Sequence, residues 1–226
     1  LRFILRAPRP AVIVNCATSL RIEALAALFG ATVFRAEVGE ANVVGLAENK
    51  VAEGFQVRIL GEGSNGGIIT LPGTVRDPLM TVATLIRFLY GEGGDGRTLA
   101  AAFCEVSGRP VAHPPFDDLL AALPAYQTTD AFEDEARSSV NVPHAALKRE
   151  YERLLATAWP GKLPPVIARC GITRYDIFNY EGMETKPGAG NRTGRETGGF
   201  QVRLLGADGT ARGFLWMRGS GTEPVF

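Results

Sequence analysis

The sequence predicts a layered α/β domain with a mostly parallel sheet, followed by a smaller α+β domain. Three observations carry this reading. Over residues 11–95, short apolar runs rich in β-branched residues alternate with amphipathic helical stretches, the order of a layered α/β sheet. The glycine-rich run Gly91-Glu92-Gly93-Gly94-Asp95-Gly96 then interrupts the pattern as a boundary loop would. After Pro143 the order becomes one helix followed by strand-like runs, two of them joined by a hairpin-type turn.

Taken along the chain, Ala11 to Cys16 is a short buried-type strand. A helix follows from about Ser19 to Phe29, with Leu20, Ile22, Leu25 and Leu28 on one face, and Gly30 stops it. Ala31 to Phe34 is a second strand, and Asn42 to about Val51 a helix with Asn42 as its cap. Phe55 to Leu60 alternates as a strand, and after a glycine-rich turn Gly67 to Leu71 forms another. Asp77 to Tyr90 is predicted as an amphipathic helix with Leu79, Val82, Leu85, Ile86 and Leu89 turned inward. A helix from about Thr98 to Val106 leads into a proline-punctuated stretch, 107–130, that reads as a connecting segment. His144 to Trp159 is helical. Pro165–Cys170, Ile172–Phe178 and Gly199–Leu205 read as strands, and Ala207-Asp208-Gly209-Thr210 turns the last of these into a return strand from Arg212 to Met217. Lys186 to Gly194 has the composition of a loop. The predicted division is 1–95, a connector over 96–130, and 131–226, the last apparently cut short at Phe226.

Composition narrows the class. The chain is 46% hydrophobic, enough for a substantial core. Its formal net charge is zero, which argues against disorder and against a dedicated nucleic-acid binder. Cys16, Cys104 and Cys170 lack metal-ligand spacing and read as buried reduced thiols, which suits a reducing cytoplasm. No apolar run reaches the roughly 18 residues that span a bilayer, and no secretory leader is visible. His113 and His144 have no nucleophile nearby in sequence and read as structural. The chain starts at Leu1 rather than Met, as a piece of a longer protein would.

Three segments offer chemistry. In Gly61-Glu62-Gly63-Ser64-Asn65-Gly66-Gly67, glycines let the backbone turn tightly, and Glu62 and Ser64 present a strong acceptor and a hydroxyl suited to vicinal sugar hydroxyls. The same residues satisfy G-x-G-x-x-G, but a dinucleotide fingerprint must open a helix, whereas a strand-like run ending in Pro72 follows. A plain hairpin turn stays open as a reading. In Arg218-Gly219-Ser220-Gly221-Thr222-Glu223-Pro224, a strand running into a glycine-rich turn exposes backbone N–H groups; Ser220 and Thr222 add hydroxyls and Arg218 a planar guanidinium for phosphate. A polar turn with one solvated arginine is the alternative. The third segment, Glu37-Val38-Gly39-Glu40-Ala41-Asn42, links a strand to a helix where ligands collect in open α/β sheets; helix capping alone also accounts for it.

Taken in this order, these segments resemble the α-D-phosphohexomutases, the family of phosphoglucomutase, phosphomannomutase and phosphoglucosamine mutase. Arg218 to Pro224 matches the family's fourth-domain phosphate loop, R-x-S-G-T-E-P, at every fixed position, and Gly61 to Gly67 is similar to its third-domain sugar loop. Supporting similarity comes from Val12-Ile13-Val14-Asn15 with Thr18-Ser19, from Val38 to Val43, and from Val75-Arg76-Asp77-Pro78-Leu79, while Leu123 to Tyr126 resembles the hinge into domain four. The family's phosphoserine loop and its D-G-D-x-D-R metal loop have no counterpart; Gly94-Asp95-Gly96-Arg97 is only a faint echo of the latter. The resemblance therefore covers domain three and most of domain four.

It implies a parent enzyme that interconverts hexose 1-phosphate and hexose 6-phosphate, of glucose or mannose or both, through a phosphoserine and a hexose 1,6-bisphosphate that also activates it. Glu62 and Ser64 would hold sugar hydroxyls, and Arg218, Ser220, Gly221 and Thr222 the non-reacting phosphate. Gly39 and Asn65 are secondary candidates. The serine and the Mg²⁺ site would belong to upstream domains on which this chain docks, so the chain by itself is expected to be inactive. Its partner would be a phosphosugar, with no nucleic acid or membrane involved. A non-catalytic phosphosugar-binding module that lacks the catalytic domains is the alternative.

Overall fold

A computed structural model describes residues 8–62, 68–126, 141–159, 161, 164–188 and 198–218. Two compact units emerge, Leu1–Arg35 with Gly39–Gln127, and Ala36–Val38 with Thr128–Phe226.

The first unit is built on a four-stranded sheet. Its strands are β1 (Pro10–Asn15), β2 (Thr32–Ala36), β3 (Gln56–Gly61) and β4 (Ile69–Thr70), in the order β2-β1-β3-β4. β1 and β3 run parallel, with Val14 opposite Gly61, and β4 returns antiparallel to β3. The helices are α1 (Arg21–Leu28), α2 (Glu40–Ala52), α3 (Pro78–Tyr90), α4 (Leu99–Val106) and α5 (Phe116–Ala122). The expected α/β class is the one found. Ile13, Val14, Val57, Leu60 and Ile69 from the strands and Val43, Leu46 and Ala47 from α2 are buried, as a period-2 sheet face and a period-3.6 helix stripe require. α3 begins with Asp77 as N-cap, its carboxylate accepting from the Met80 N–H at 2.9 Å, and with proline in the first turn.

Several expectations for this unit change. α2 starts at Glu40 rather than Asn42; its N-cap is Gly39, and Asn42 lies within the first turn. Leu28 is exposed. Leu79, Val82, Leu85 and Ile86, predicted to face inward, are 44–82% exposed. Among the described residues, the apolar packing of α3 is concentrated at its far end. There Phe88 and Leu89 pack with Leu25 and Phe29 around Ala100, Phe103, Cys104 and Leu119. Periodicity tells which side chains share a helix face; it does not supply the surface that covers them. The stretch read as a connector contributes α4 and α5 to this cluster.

The second unit carries an antiparallel sheet of β5 (Ile172–Glu181), β6 (Glu184–Pro187), β7 (Gly199–Gly206) and β8 (Ala211–Met217), in the order β6-β5-β7-β8. Helix α6 (His144–Ala158) covers one face: Leu155 packs on Phe200 and Val202, with Tyr151, Trp159, Tyr175 and Ile177 around them. Burial also pushes the Tyr151 phenol above its usual range. On the opposite face the Tyr180 hydroxyl donates to Gln201 Oε1, and Arg203 donates to the same oxygen at 3.0 Å while lying over the Phe178 ring. The predicted 207–210 turn is present, with Gly209 at a φ of 77° that favours glycine and Asp208 accepting from the Thr210 N–H.

Two corrections fall in this unit. Residues 165–170 are not a strand: α7 (Pro164–Ile167) and a 3₁₀ turn (Ala168–Cys170) occupy them. Two prolines preset a helical φ at a first turn, and Gly171, at φ 68°, ends the segment in the left-handed conformation. Lys186 and Pro187 belong to β6 rather than to a loop. Cys16 and Cys104 are buried, but Cys170 is exposed. No described helix is long and apolar enough to cross a membrane.

Candidate functional site

In an open α/β sheet, loops at the carboxyl ends of the strands form the ligand crevice. Val14 pairs with Gly61, so Asn15 and Glu62 emerge side by side at that edge. The loop after β1 is tied down from β2. Arg35, 6% exposed, donates from Nη1 to the carbonyls of Asn15, Cys16 and Thr18 at 3.1, 3.5 and 2.7 Å, and from Nη2 to that of Ser19 at 3.4 Å. Its Nε and Nη2 also grip both oxygens of Glu23 at 2.7 and 2.8 Å. Asn15 Oδ1 accepts from the Ala17 N–H and the Thr18 hydroxyl, closing the turn.

The carboxylate of Glu62, 7% exposed, accepts the Gly39 N–H on Oε1 at 2.9 Å. Gly39 sits at φ 132°, where side chains are strained, and a Cβ there would meet the Asn42 amide at 3.1 Å. Its carbonyl accepts from the N–H groups of Asn42 and Val43, opening α2. Arg76, just before α3, donates from Nε to Glu40 Oε1 at 2.6 Å and from its backbone N–H to the same oxygen at 3.3 Å. That Nε also lies 3.8 Å from Glu62 Oε2. One guanidinium therefore serves two carboxylates, at the ends of three elements.

Arg76 holds the Glu40 carboxyl below its usual range, chiefly through the side-chain hydrogen bond. A carboxylate whose pKa is lower folded than unfolded contributes stability above its unfolded value, 4.5, and loses it as pH falls through the folded value. Thermal midpoints followed from pH 7 to pH 3 should therefore fall less steeply below about pH 4.5 in Glu40→Gln than in the unaltered chain. Parallel curves would remove this contribution.

The sequence-predicted residues fare unequally. Glu62 and Gly39 meet in the first unit through a direct hydrogen bond. Arg218, in the second unit, directly follows β8; its Nε is buried and has no hydrogen-bond partner among the described residues. Ser64, Asn65, Ser220, Gly221 and Thr222 lie outside the described residues. Glu40 and Arg76, named only within longer motifs, turn out to complete the Glu62 cluster. The signal available for them was a charged residue next to each of two helix starts, Glu40 at the first position of α2 and Arg76 just before the Asp77 cap of α3. Ile68 and β4 follow the glycine-rich turn, and no helix opens there, so the dinucleotide reading is excluded.

The faint metal-loop echo also resolves. Arg97 donates to Asp95 Oδ2 from Nε and Nη2 at 3.2 and 3.1 Å and also pairs with Glu105, which keeps the Asp95 carboxyl below its usual range. Among the described residues no group of three His, Cys, Asp or Glu side chains could hold a metal ion. The described residues do not fit the Mg²⁺ site that the family generally uses.

Residues 3–106 match the family model described as phosphoglucomutase/phosphomannomutase, alpha/beta/alpha domain III. This segment is similar to a phosphohexomutase third domain. The match covers just under half of the chain and takes in β1 to α4, including Gly39, Glu40, Glu62 and Arg76. No curated protein and no solved structure matches the chain. The Glu62 cluster lies within the matched residues.

Proposed function

We propose that this chain supplies the sugar-hydroxyl and phosphate grip of a phosphohexomutase that interconverts hexose 1-phosphate and hexose 6-phosphate of glucose or mannose. The observation that carries the reading is Glu62: a buried carboxylate at the carboxyl end of a central strand, fixed by the Gly39 N–H, with a second oxygen that accepts no hydrogen bond among the described residues. Such an oxygen suits a sugar hydroxyl, because a donor brought to it makes a charge-assisted bond in a dry setting. Arg218, in a sequence that resembles the family's phosphate loop, would take the non-reacting phosphate through its fork of N–H donors.

A mutase that returns either phosphate to one serine must hold the sugar equivalently in two orientations. A fixed acceptor for hydroxyls and a fixed cation for the idle phosphate meet that need, and remote binding of this kind positions the reacting end. Other parts of the parent protein would supply the phosphoryl donor and the metal.

Titration of α-D-glucose 1-phosphate and α-D-mannose 1-phosphate into the chain tests the reading. Binding should weaken about 10- to 100-fold in Glu62→Gln and in Arg218→Ala, the loss expected for one charge-assisted contact. The chain by itself should give no hexose 6-phosphate. Affinities unchanged in both variants would sink the proposal, and turnover by the chain would sink its division of labour.

A further inference from the structure

The geometry of Glu40 and Arg76 decides whether the second oxygen of Glu62 is open. Arg76 commits its Nε and its backbone N–H to one oxygen of Glu40, at 2.6 and 3.3 Å. The same Nε stands 3.8 Å from Glu62 Oε2, beyond hydrogen-bond range but within ion-pair range. Glu62 has its other oxygen on Gly39 N–H, and its side chain is 6% exposed, against 33% for both Glu40 and Arg76. Glu62 is thus a buried carboxylate beside a cation that it does not bond.

We infer that Glu40 acts as a positioning residue, holding the Arg76 guanidinium away from Glu62 so that Glu62 Oε2 stays free to accept a sugar hydroxyl. By taking the Arg76 Nε at 2.6 Å, Glu40 prevents the direct bond that would occupy the acceptor and leaves that Nε 3.8 Å from Glu62 Oε2. Carboxylate oxygens prefer the nearest strong donor, and a guanidinium released from one carboxylate will close on the other. The Glu40 position fits this task. It is the first residue of α2, adjacent to Gly39, so the backbone that bonds one oxygen of Glu62 also carries the side chain that keeps the other open. This inference rests on the proposal that Glu62 binds sugar.

The experiment is a set of titrations on the whole chain with α-D-glucose 1-phosphate and α-D-mannose 1-phosphate, comparing Glu62→Gln, Glu40→Gln, Arg76→Met and the double variant Glu40→Gln/Arg76→Met. Glu40→Gln should weaken binding about tenfold, the worth of one acceptor lost to an internal partner. The double variant should bind several-fold more tightly than Glu40→Gln, because no guanidinium remains to close on Glu62. A merely structural role predicts the opposite order, with the double variant the weaker. Circular dichroism melting verifies folding, and Glu40→Asp replaces Glu40→Gln if that variant does not fold; its shortened reach should cost affinity in the same direction. Unchanged binding in Glu40→Gln with weakened binding in Glu62→Gln overturns the positioning role alone. No binding by the unaltered chain, or unchanged binding in Glu62→Gln, overturns both this inference and the sugar-binding reading beneath it.

Discussion

Arg35→Met should destabilise the first unit by about 3–5 kcal/mol, the cost typical of removing one partner from a buried ionic network. The side chain is almost fully buried, and methionine matches its length without any donor. Four carbonyls of the loop after β1 would lose a charged donor, and each buried acceptor left without a partner costs on the order of 1–3 kcal/mol. Glu23 is 37% exposed on its side chain and can rehydrate, so Glu23→Gln should cost much less than Arg35→Met. Urea unfolding followed by circular dichroism would measure both, and amide exchange at residues 15–20 would localise the effect. Equal losses in the two variants would show that the ion pair, not the carbonyl cluster, is what matters. Arg35→Lys should recover only part, because one ammonium cannot reach four carbonyls and both carboxylate oxygens.

Phe200→Ala should cost the second unit about 3–5 kcal/mol, the range for emptying a buried aromatic site. Phe200 is 1% exposed, lies in the middle strand pair of the sheet opposite Asn179 and Met217, and meets the Tyr151 ring edge-on at 5.9 Å. α6 is amphipathic and buries its apolar side on this cluster, while Lys148 also donates to the Gly198 carbonyl, so the cavity would sit at the apolar joint between helix and sheet. Phe200→Leu, which keeps most of the volume, should lose far less. Both tryptophans, Trp159 and Trp216, belong to this unit. Trp159 packs in the Phe200 cluster and stacks edge-on with Tyr175 at 4.7 Å. Tryptophan fluorescence during urea unfolding therefore reads this loss directly. A midpoint unmoved by Phe200→Ala would mean that the helix is anchored elsewhere.

Particular elements show where sequence was enough. Ala11 to Cys16, Phe55 to Leu60 and Gly199 to Leu205 carry short apolar or alternating runs bounded by breakers, and all became strands within a residue or two. Asp77-Pro78 marked the start of α3 because a short carboxylate and a fixed φ are local devices that need no partner. Pro164-Pro165 carried the same signal and was overridden by the apolar residues after it, which satisfy strand and helix alike when the run is short. The inward face assigned to α3 failed for a different reason. Leu79 to Ile86 have the right spacing, but burial depends on a second surface, which no periodicity contains.

The candidate site divides the same way. The residue types at Gly39, Glu62 and Arg218, and their resemblance to the phosphohexomutase pattern, were legible because glycines, carboxylates and arginines in fixed spacing are properties of the chain. That Glu62 faces Gly39 N–H, that Arg76 answers to Glu40 before Glu62, and that Arg35 ties four carbonyls were not. Each joins residues 14 to 36 positions apart, and the pairing follows from strand order and register. The sequence by itself determined an α/β unit that resembles a phosphohexomutase third domain. Only the tertiary structure decided which carboxylate is tied up and which is left open, because a 1.2 Å difference between two ion-pair distances, 2.6 and 3.8 Å, is set by how three element ends converge and not by the order of residues within any of them.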